Sequence, residues 1–201
     1  MNSIRYFTAL LLLLTIPSVM VFWLLIHPFV RFWRRQTPAV TYGLVCLLIS
    51  GIMAFLFRMR SYLMRIEFGT SYILFISGIL CLFGALFIFW GIRKQLTLRI
   101  MVGLPELAPQ RYSGILLTEG IYARIRHPRY AELVLALLGY TLIANYLVTY
   151  VVFLLMLPVL FLVILLEERE LRERFGEDYE KYCRDVPRFL PKLRGKGVTR
   201  N

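Results

Sequence analysis

Long apolar stretches separated by short basic interruptions dominate this chain. Residues 7–30, 39–57, 72–92 and 131–166 are almost free of charge, and a helix needs about 20 apolar residues to cross a hydrocarbon core about 30 Å thick. The last stretch is too long for one crossing, since a single helix rising about 1.5 Å per residue would run beyond about 50 Å. Its one polar, turn-prone spot is Ala144-Asn145-Tyr146, so the pattern predicts a reversal there, within or near the far interface. The expected fold is all-α: a polytopic transmembrane protein of five spans, the last two a tight helical hairpin. Beyond them Leu171, Phe175, Tyr179, Tyr182 and Val186 recur at helical spacing, broken by Gly176 and ended by Pro187 and Pro191. This predicts an amphipathic C-terminal tail lying on the membrane face, with Arg188 and Phe189 brought back over the spans. The chain divides into two N-terminal spans (1–69) and a core (70–201) of third span, connector, hairpin and tail.

Composition agrees with a membrane protein, because 59% hydrophobic and 18% charged residues lie far from the about 25% charged of a soluble domain. In 201 residues such spans leave no room for a separate soluble catalytic domain. The first apolar stretch reads as a retained span, since its apolar core outruns a signal peptide's and it lacks a small-x-small cleavage site. Charge sets the orientation. With five spans, 20 of the 24 Lys and Arg residues fall on the side of the C-terminus, and cytoplasmic loops are the ones enriched in them. The expectation is an N-terminus outside and a C-terminus in the cytoplasm, in a bacterial inner membrane or its equivalent. Arg58, Arg60 and Arg65 would face the exterior and snorkel. The net charge of +12 then serves orientation and contact with membrane lipids, not nucleic acid, because the basic residues hug span ends. Two histidines and three scattered cysteines offer no metal site and no disulfide framework.

Candidate chemistry sits at the span boundaries. Residues 120–130 place Arg126, His127, Pro128 and Tyr130 at the mouth of the hairpin, and Glu167-Glu168 ends it. Pro128 restricts the residue before it to extended backbone, which holds His127 out of a regular helix. A plainer reading has Pro128 opening a span while Arg124, Arg126 and Arg129 anchor it, and Glu167-Glu168 beginning a solvated helix of ion pairs. His27-Pro28 reads as a span terminus. Antiparallel packing of the hairpin would bring His127, Tyr130 and Glu167 together in a polar pocket roofed by the tail.

Taken together, Gly120-x-Tyr-x-x-x-Arg-His-Pro-x-Tyr130, an apolar hairpin, Glu167-Glu-x-x-Leu-x-x-x-Phe-Gly-x-x-Tyr-x-x-Tyr182 and Val186-Pro-Arg-Phe-x-Pro191 resemble the integral membrane methyltransferases related to isoprenylcysteine carboxyl methyltransferase and phospholipid N-methyltransferase. The resemblance implies S-adenosylmethionine as cofactor. It places Gly120, Tyr122, Arg126, His127, Pro128, Tyr130, Glu167 and Glu168 around that cofactor, with Glu167 and Glu168 near its cationic methionine end. Ile121 and Glu132 depart from the family, where proline and glycine are frequent, and this bears on substrate identity. The expected reaction is methyl transfer to a lipophilic, membrane-borne acceptor, a carboxylate or an amine. His127 or Glu167 would matter most for an amine, which must arrive deprotonated, and Arg188 or Arg126 would hold an anionic acceptor group. The alternatives are a nicotinamide-dependent membrane reductase of a sterol-like or isoprenoid substrate, using Arg93, Lys94, Arg99 and Arg111 for phosphate, and a lipid-binding scaffold without catalysis.

Overall fold

The computed structural model describes residues 2–26, 28–33, 35–93 and 116–191, and those residues are all-helical apart from connections. In chain order they form α1 (Asn2–Ile26), a short α2 (Val30–Trp33), α3 (Pro38–Leu63), α4 (Tyr72–Arg93), a 3₁₀ turn (Gly120–Ala123), α5 (Pro128–Ala144), α6 (Leu147–Phe175) and α7 (Glu177–Asp185). The only extended pairing among them is an antiparallel bridge between Glu67 and Tyr146. His27, Lys94, Arg99 and Arg111 lie outside the described residues, as does most of the connector between α4 and the 3₁₀ turn.

Four helices, α1, α3, α4 and α6, are long and apolar enough to cross a membrane. α5 has only 17 residues, about 26 Å at the helical rise, a little short of the hydrocarbon thickness. Its limits are local. Proline fits the first helical position, where its missing N–H would have no partner anyway, and Asn145 ends the helix in the left-handed region at φ 54° and ψ 48°, which asparagine tolerates better than other side chains. α6 has 29 residues, about 43 Å at the same rise, so its charged end from Glu167 onward projects past the apolar layer.

The reversal falls at Asn145-Tyr146, where the sequence places it, but the two arms are not a tight pair. α5 packs most extensively on α4 and only lightly on α6. Two glycines make the α4–α5 seam: a Cβ built on Gly78 would stand 2.7 Å from the Gly139 carbonyl oxygen, and one built on Gly139 would stand 2.8 Å from that of Gly78. Small residues allow this approach of backbones where lipid supplies no hydrophobic drive between helices. α1 covers the other side, contributing Leu12 to a core with Tyr130, Leu137, Met156, Leu160, Val163 and Ile164. α3 rests mainly on α1.

The end of the bundle that holds the α5–α6 turn is closed by a polar cluster. Arg5, 2% exposed, donates to Glu67 at 2.6 Å, to the Ala144 carbonyl at 3.1 Å and to that of Asn145 at 3.5 Å. Tyr146 donates to the other Glu67 oxygen at 3.1 Å, and the Asn145 amide donates to the Gly69 carbonyl at 2.9 Å. The backbone amides of Phe68 and Leu147 donate to the carbonyls of Asn145 and Ile66. Every turn carbonyl named here has a partner, which matters where water is scarce. Of the three arginines expected near this end, Arg60 lays its guanidinium over the Phe57 ring at 4.0 Å and donates to the Phe57 carbonyl.

Candidate functional site

At the opposite end, four cationic or imidazole side chains converge on one carboxylate. Glu168 is 0% exposed, which for a lone charge would be prohibitive. Arg188 grips it with a fork, Nε to one oxygen at 2.9 Å and Nη2 to the other at 2.7 Å. Arg126 Nη2 donates at 3.1 Å, His127 Nε2 stands 3.0 Å away, and Arg172 Nη2 reaches it at 3.4 Å. A carboxylate only accepts, so His127 Nε2 carries the proton. The buried charge is thereby paired and hydrogen-bonded, the condition under which burial is tolerated.

Local sequence explains the convergence. Pro128 opens α5 and leaves His127 just outside it at φ −119°, ψ 56°, with its ring turned toward Tyr130 and Phe189. Gly176, at φ 53° and ψ −126°, separates α6 from α7 in a conformation that side chains disfavour. The chain therefore turns back, and Tyr179, Tyr182 and Val186 bury themselves with Leu171 and Phe175. Residues 186–188 are then stitched to the entrance of α5. The Arg126 amide donates to the Pro187 carbonyl at 2.8 Å and the His127 amide to the Arg188 carbonyl at 3.1 Å. Arg126 Nη1 donates to the carbonyls of Cys183 and Val186.

Glu167, next to Glu168, belongs to a different group. Half-buried, it accepts a 2.6 Å hydrogen bond from the Tyr130 hydroxyl. Tyr122 stands close enough to Glu167 to feel its charge, and burial first, then Glu167, push its phenol pKa well up. Its carbonyl accepts from Tyr182 at 2.7 Å, and burial pushes the Tyr182 phenol up to about 12. Gly120, exposed at φ 59°, begins the 3₁₀ turn.

Beside both groups lies a cavity of about 650 Å³ walled by α4, the 3₁₀ turn, α5 and α6 and roofed by Phe189, Leu190 and Pro191. It fills the space where α5 and α6 make little contact. Val134, Leu135, Leu157 and Phe161 are among its apolar walls, and its edge carries the exposed Phe87. Among the described residues, Tyr130 and Arg124 bring the polar side chains to it.

The candidate residues therefore separate. Arg126, His127, Arg188 and Glu168 meet in the buried hub, with Pro128 setting its geometry. Tyr130 and Glu167 pair, and of all these Tyr130 alone lines the cavity. Gly120 and Tyr122 stand on the turn beside them. Arg188, expected to face an acceptor anion, is engaged by Glu168. The ion-pair reading of the helix after Glu168 covers Arg172, whose spacing of four from Glu168 brings it to the buried hub and not only to solvated partners. The α4 wall, Phe87 and Ile88, carried no signal.

Comparison with known proteins adds one finding. Residues 72–178 match the family model described as phospholipid methyltransferase, a span that holds α4, α5, α6 and most of the residues above. No curated protein and no solved structure matches the chain.

Proposed function

The chain belongs to the phospholipid methyltransferase family, an integral membrane protein with a lipid-related methyl transfer as its family activity, and from this premise we propose that it transfers a methyl group from S-adenosylmethionine to a lipophilic acceptor drawn from the bilayer. One observation carries the reading: an apolar cavity that has exposed apolar side chains such as Phe87 at its edge, the Tyr130 hydroxyl, paired with Glu167, in its wall, and the segment after Arg188 as its roof. Its volume lies in the range of about 300–1,000 Å³ typical of ligand pockets. α5 counts as the fifth span in this proposal, with the hub end and α7 at the cytoplasmic face and the Arg5 end outside, the arrangement that the distribution of basic residues favours.

The chemistry of the donor set suits the cofactor. Its methionine end carries charges of both signs, and the polar end of the cavity offers the exposed Arg124 and Tyr130, behind which the half-buried Glu167 stands. Tyr130 would meet it from the cavity wall, with Gly120, Tyr122 and Glu167 beside it, and Arg126, His127, Pro128 and Glu168 would support these from the hub. When bound, S-adenosylmethionine supplies an electrophilic methyl group on a sulfonium. The protein's own part is to exclude water and align the acceptor, and orientation of reactants is worth about 7–11 kcal/mol of barrier. The hub does this indirectly: Glu168, through Arg188, seats the roof Phe189–Pro191. His127, with Nε2 on Glu168, frames the site in this structure and stands off the cavity wall.

Incubating the purified protein in lipid nanodiscs with methyl-labelled S-adenosylmethionine and a total lipid extract tests the reading. Label in an organic-extractable product is expected. A water-soluble product alone, or none together with no binding of S-adenosylhomocysteine, would overturn it.

A further inference from the structure

The cavity between α4, α5 and α6 has a floor. From the hub toward the Arg5 end, its last lining residue is Phe87 on α4, Leu135 on α5 and Leu157 on α6. Leu135 lies seven residues beyond Pro128, where α5 begins, and Leu157 lies seven residues from Ile164. Both helices therefore give the cavity the same depth, about 10 Å at the helical rise. The floor owes its position to a glycine. A Cβ built on Gly84 would stand 3.7 Å from Leu135 Cδ1, so the tip of Leu135 rests against the space that a side chain at 84 would take and spans the gap from α5 to α4. Further down, Gly78 and Gly139 bring those two helices together. The side away from α5 differs, because Phe87, Leu157 and Phe161 line the cavity and are also exposed on the apolar surface of the bundle.

We infer that Leu135, seated against Gly84, sets how much of a bound hydrocarbon chain the protein holds: the first eight or so carbons lie inside, at about 1.3 Å of advance per carbon of an extended chain, and the remainder leaves between Phe87 and Phe161 into the bilayer. A chain that enters from lipid exchanges one apolar surrounding for another, so its methylenes gain no hydrophobic stabilisation and only close packing against the walls counts. That packing reaches as far as the floor. Leu135 thus makes the site selective for the shape of the hydrocarbon nearest the polar end and indifferent to its length beyond. A branch or rigid ring near that end meets Val134 and Leu160, whereas one further out meets lipid. This rests on the cavity being the acceptor site, and it adds which part of the acceptor is recognised and the residue that limits it.

The test maps a chain carbon by carbon, without the cofactor. The full chain in phosphatidylcholine nanodiscs is photolabelled by octadecanols that carry a diazirine at the fifth, tenth or fourteenth carbon, and the labelled residues are identified by mass spectrometry. The fifth-carbon probe is expected to mark the inner walls at Val134, Leu160 and Ile164, and the fourteenth-carbon probe the exposed Leu154 and Leu162, with inner-wall labelling at least about fivefold weaker. Leu135→Ala should carry the tenth-carbon label down to Leu82, which lies below the floor against Gly139. Leu135→Trp should act in the opposite sense and move the fifth-carbon label outward to Phe87 and Phe161, so the inference does not hang on one variant. Inner-wall labelling by the fourteenth carbon equal to that by the fifth would overturn it, as would absence of the fifth-carbon label from the inner walls or patterns unchanged in both variants. Calorimetry with S-adenosylhomocysteine on the same samples separates the two levels: its failure to bind the wild type defeats the methyl-transfer reading, whatever the labelling shows.

Discussion

The Arg5 cluster and the Glu168 hub stand at opposite ends of α5 and are built from similar pieces, a buried ion pair with donors reaching backbone carbonyls. They differ in what lies beside them. Around Arg5 the partners close a turn: the carbonyls of Ala144 and Asn145, Glu67 and the bridge to Tyr146. Around Glu168 the partners come from three places, the α5 entrance, α6 and the tail, and what they hold in position is the wall and roof of a cavity of about 650 Å³. The first cluster fastens the bundle, and the second shapes a space. A buried charge in a membrane protein is therefore not by itself a mark of chemistry, although it invites that reading. The adjoining space makes the difference.

This contrast breaks down if substitutions at the two ends have the same consequences. The largest effect is expected for Glu168→Ala, which leaves Arg126, His127 and Arg188 without their common acceptor. Removing one partner of a buried pair costs about 3–5 kcal/mol, and thermal unfolding in nanodiscs should show it together with loss of S-adenosylhomocysteine binding. Arg5→Met should cost about 1.5–3 kcal/mol, the worth of hydrogen bonds to a charged group. Glu67 stays partly hydrated at 37% exposure, which limits the loss, and ligand binding should persist. An Arg5 variant that unfolds less but binds no ligand would erase the distinction.

Smaller in size, and confined to the hub end, is a dependence on alkaline pH. The Tyr182 phenol rises from its ordinary 10.0 to about 12, chiefly through burial. Between those values the folded protein keeps a proton that the unfolded chain has lost, so stability is full below pH 10 and falls as pH rises toward 12. Tyr182→Phe should reduce that alkaline loss. Below pH 10 it should cost only about 0.5–1.5 kcal/mol for the missing bond to the Tyr122 carbonyl. Unfolding curves between pH 8 and 12, as an approximate range, check both, and an unchanged alkaline slope in the variant would count against the burial of this phenol.

How much of this the sequence disclosed depends on whether the deciding physics is local. The reversal at Asn145, the start of α5 at Pro128, the break at Gly176 and the meeting of the α6 carboxylates with the α5 entrance follow from proline, glycine and asparagine backbone preferences and from antiparallel geometry, but His127, expected to meet Glu167, meets Glu168. The partnering of α5 did not follow. The hairpin arms were expected to pair because they are consecutive, yet Gly78 and Gly139 let α4 come closer, and nothing in either apolar run marks those glycines as a seam. That displacement opens the cavity, so its walls at Phe87 and Leu157 were illegible as well. The adjacent glutamates looked alike in the sequence. About 100° of helix rotation separates neighbouring residues, and it sends Glu168 into the hub and Glu167 to Tyr130.

Calorimetric titration of S-adenosylhomocysteine into the nanodisc-embedded wild type, Arg5→Met and Arg188→Ala tests the division between the two ends most directly. The wild type should bind, Arg5→Met should bind within about threefold of it, and Arg188→Ala, which leaves Glu168 its contacts with Arg126, His127 and Arg172, should bind at least about tenfold more weakly. No binding to the wild type, or an equal loss in the two variants, would contradict the assignment of one cluster to fastening and the other to the ligand site.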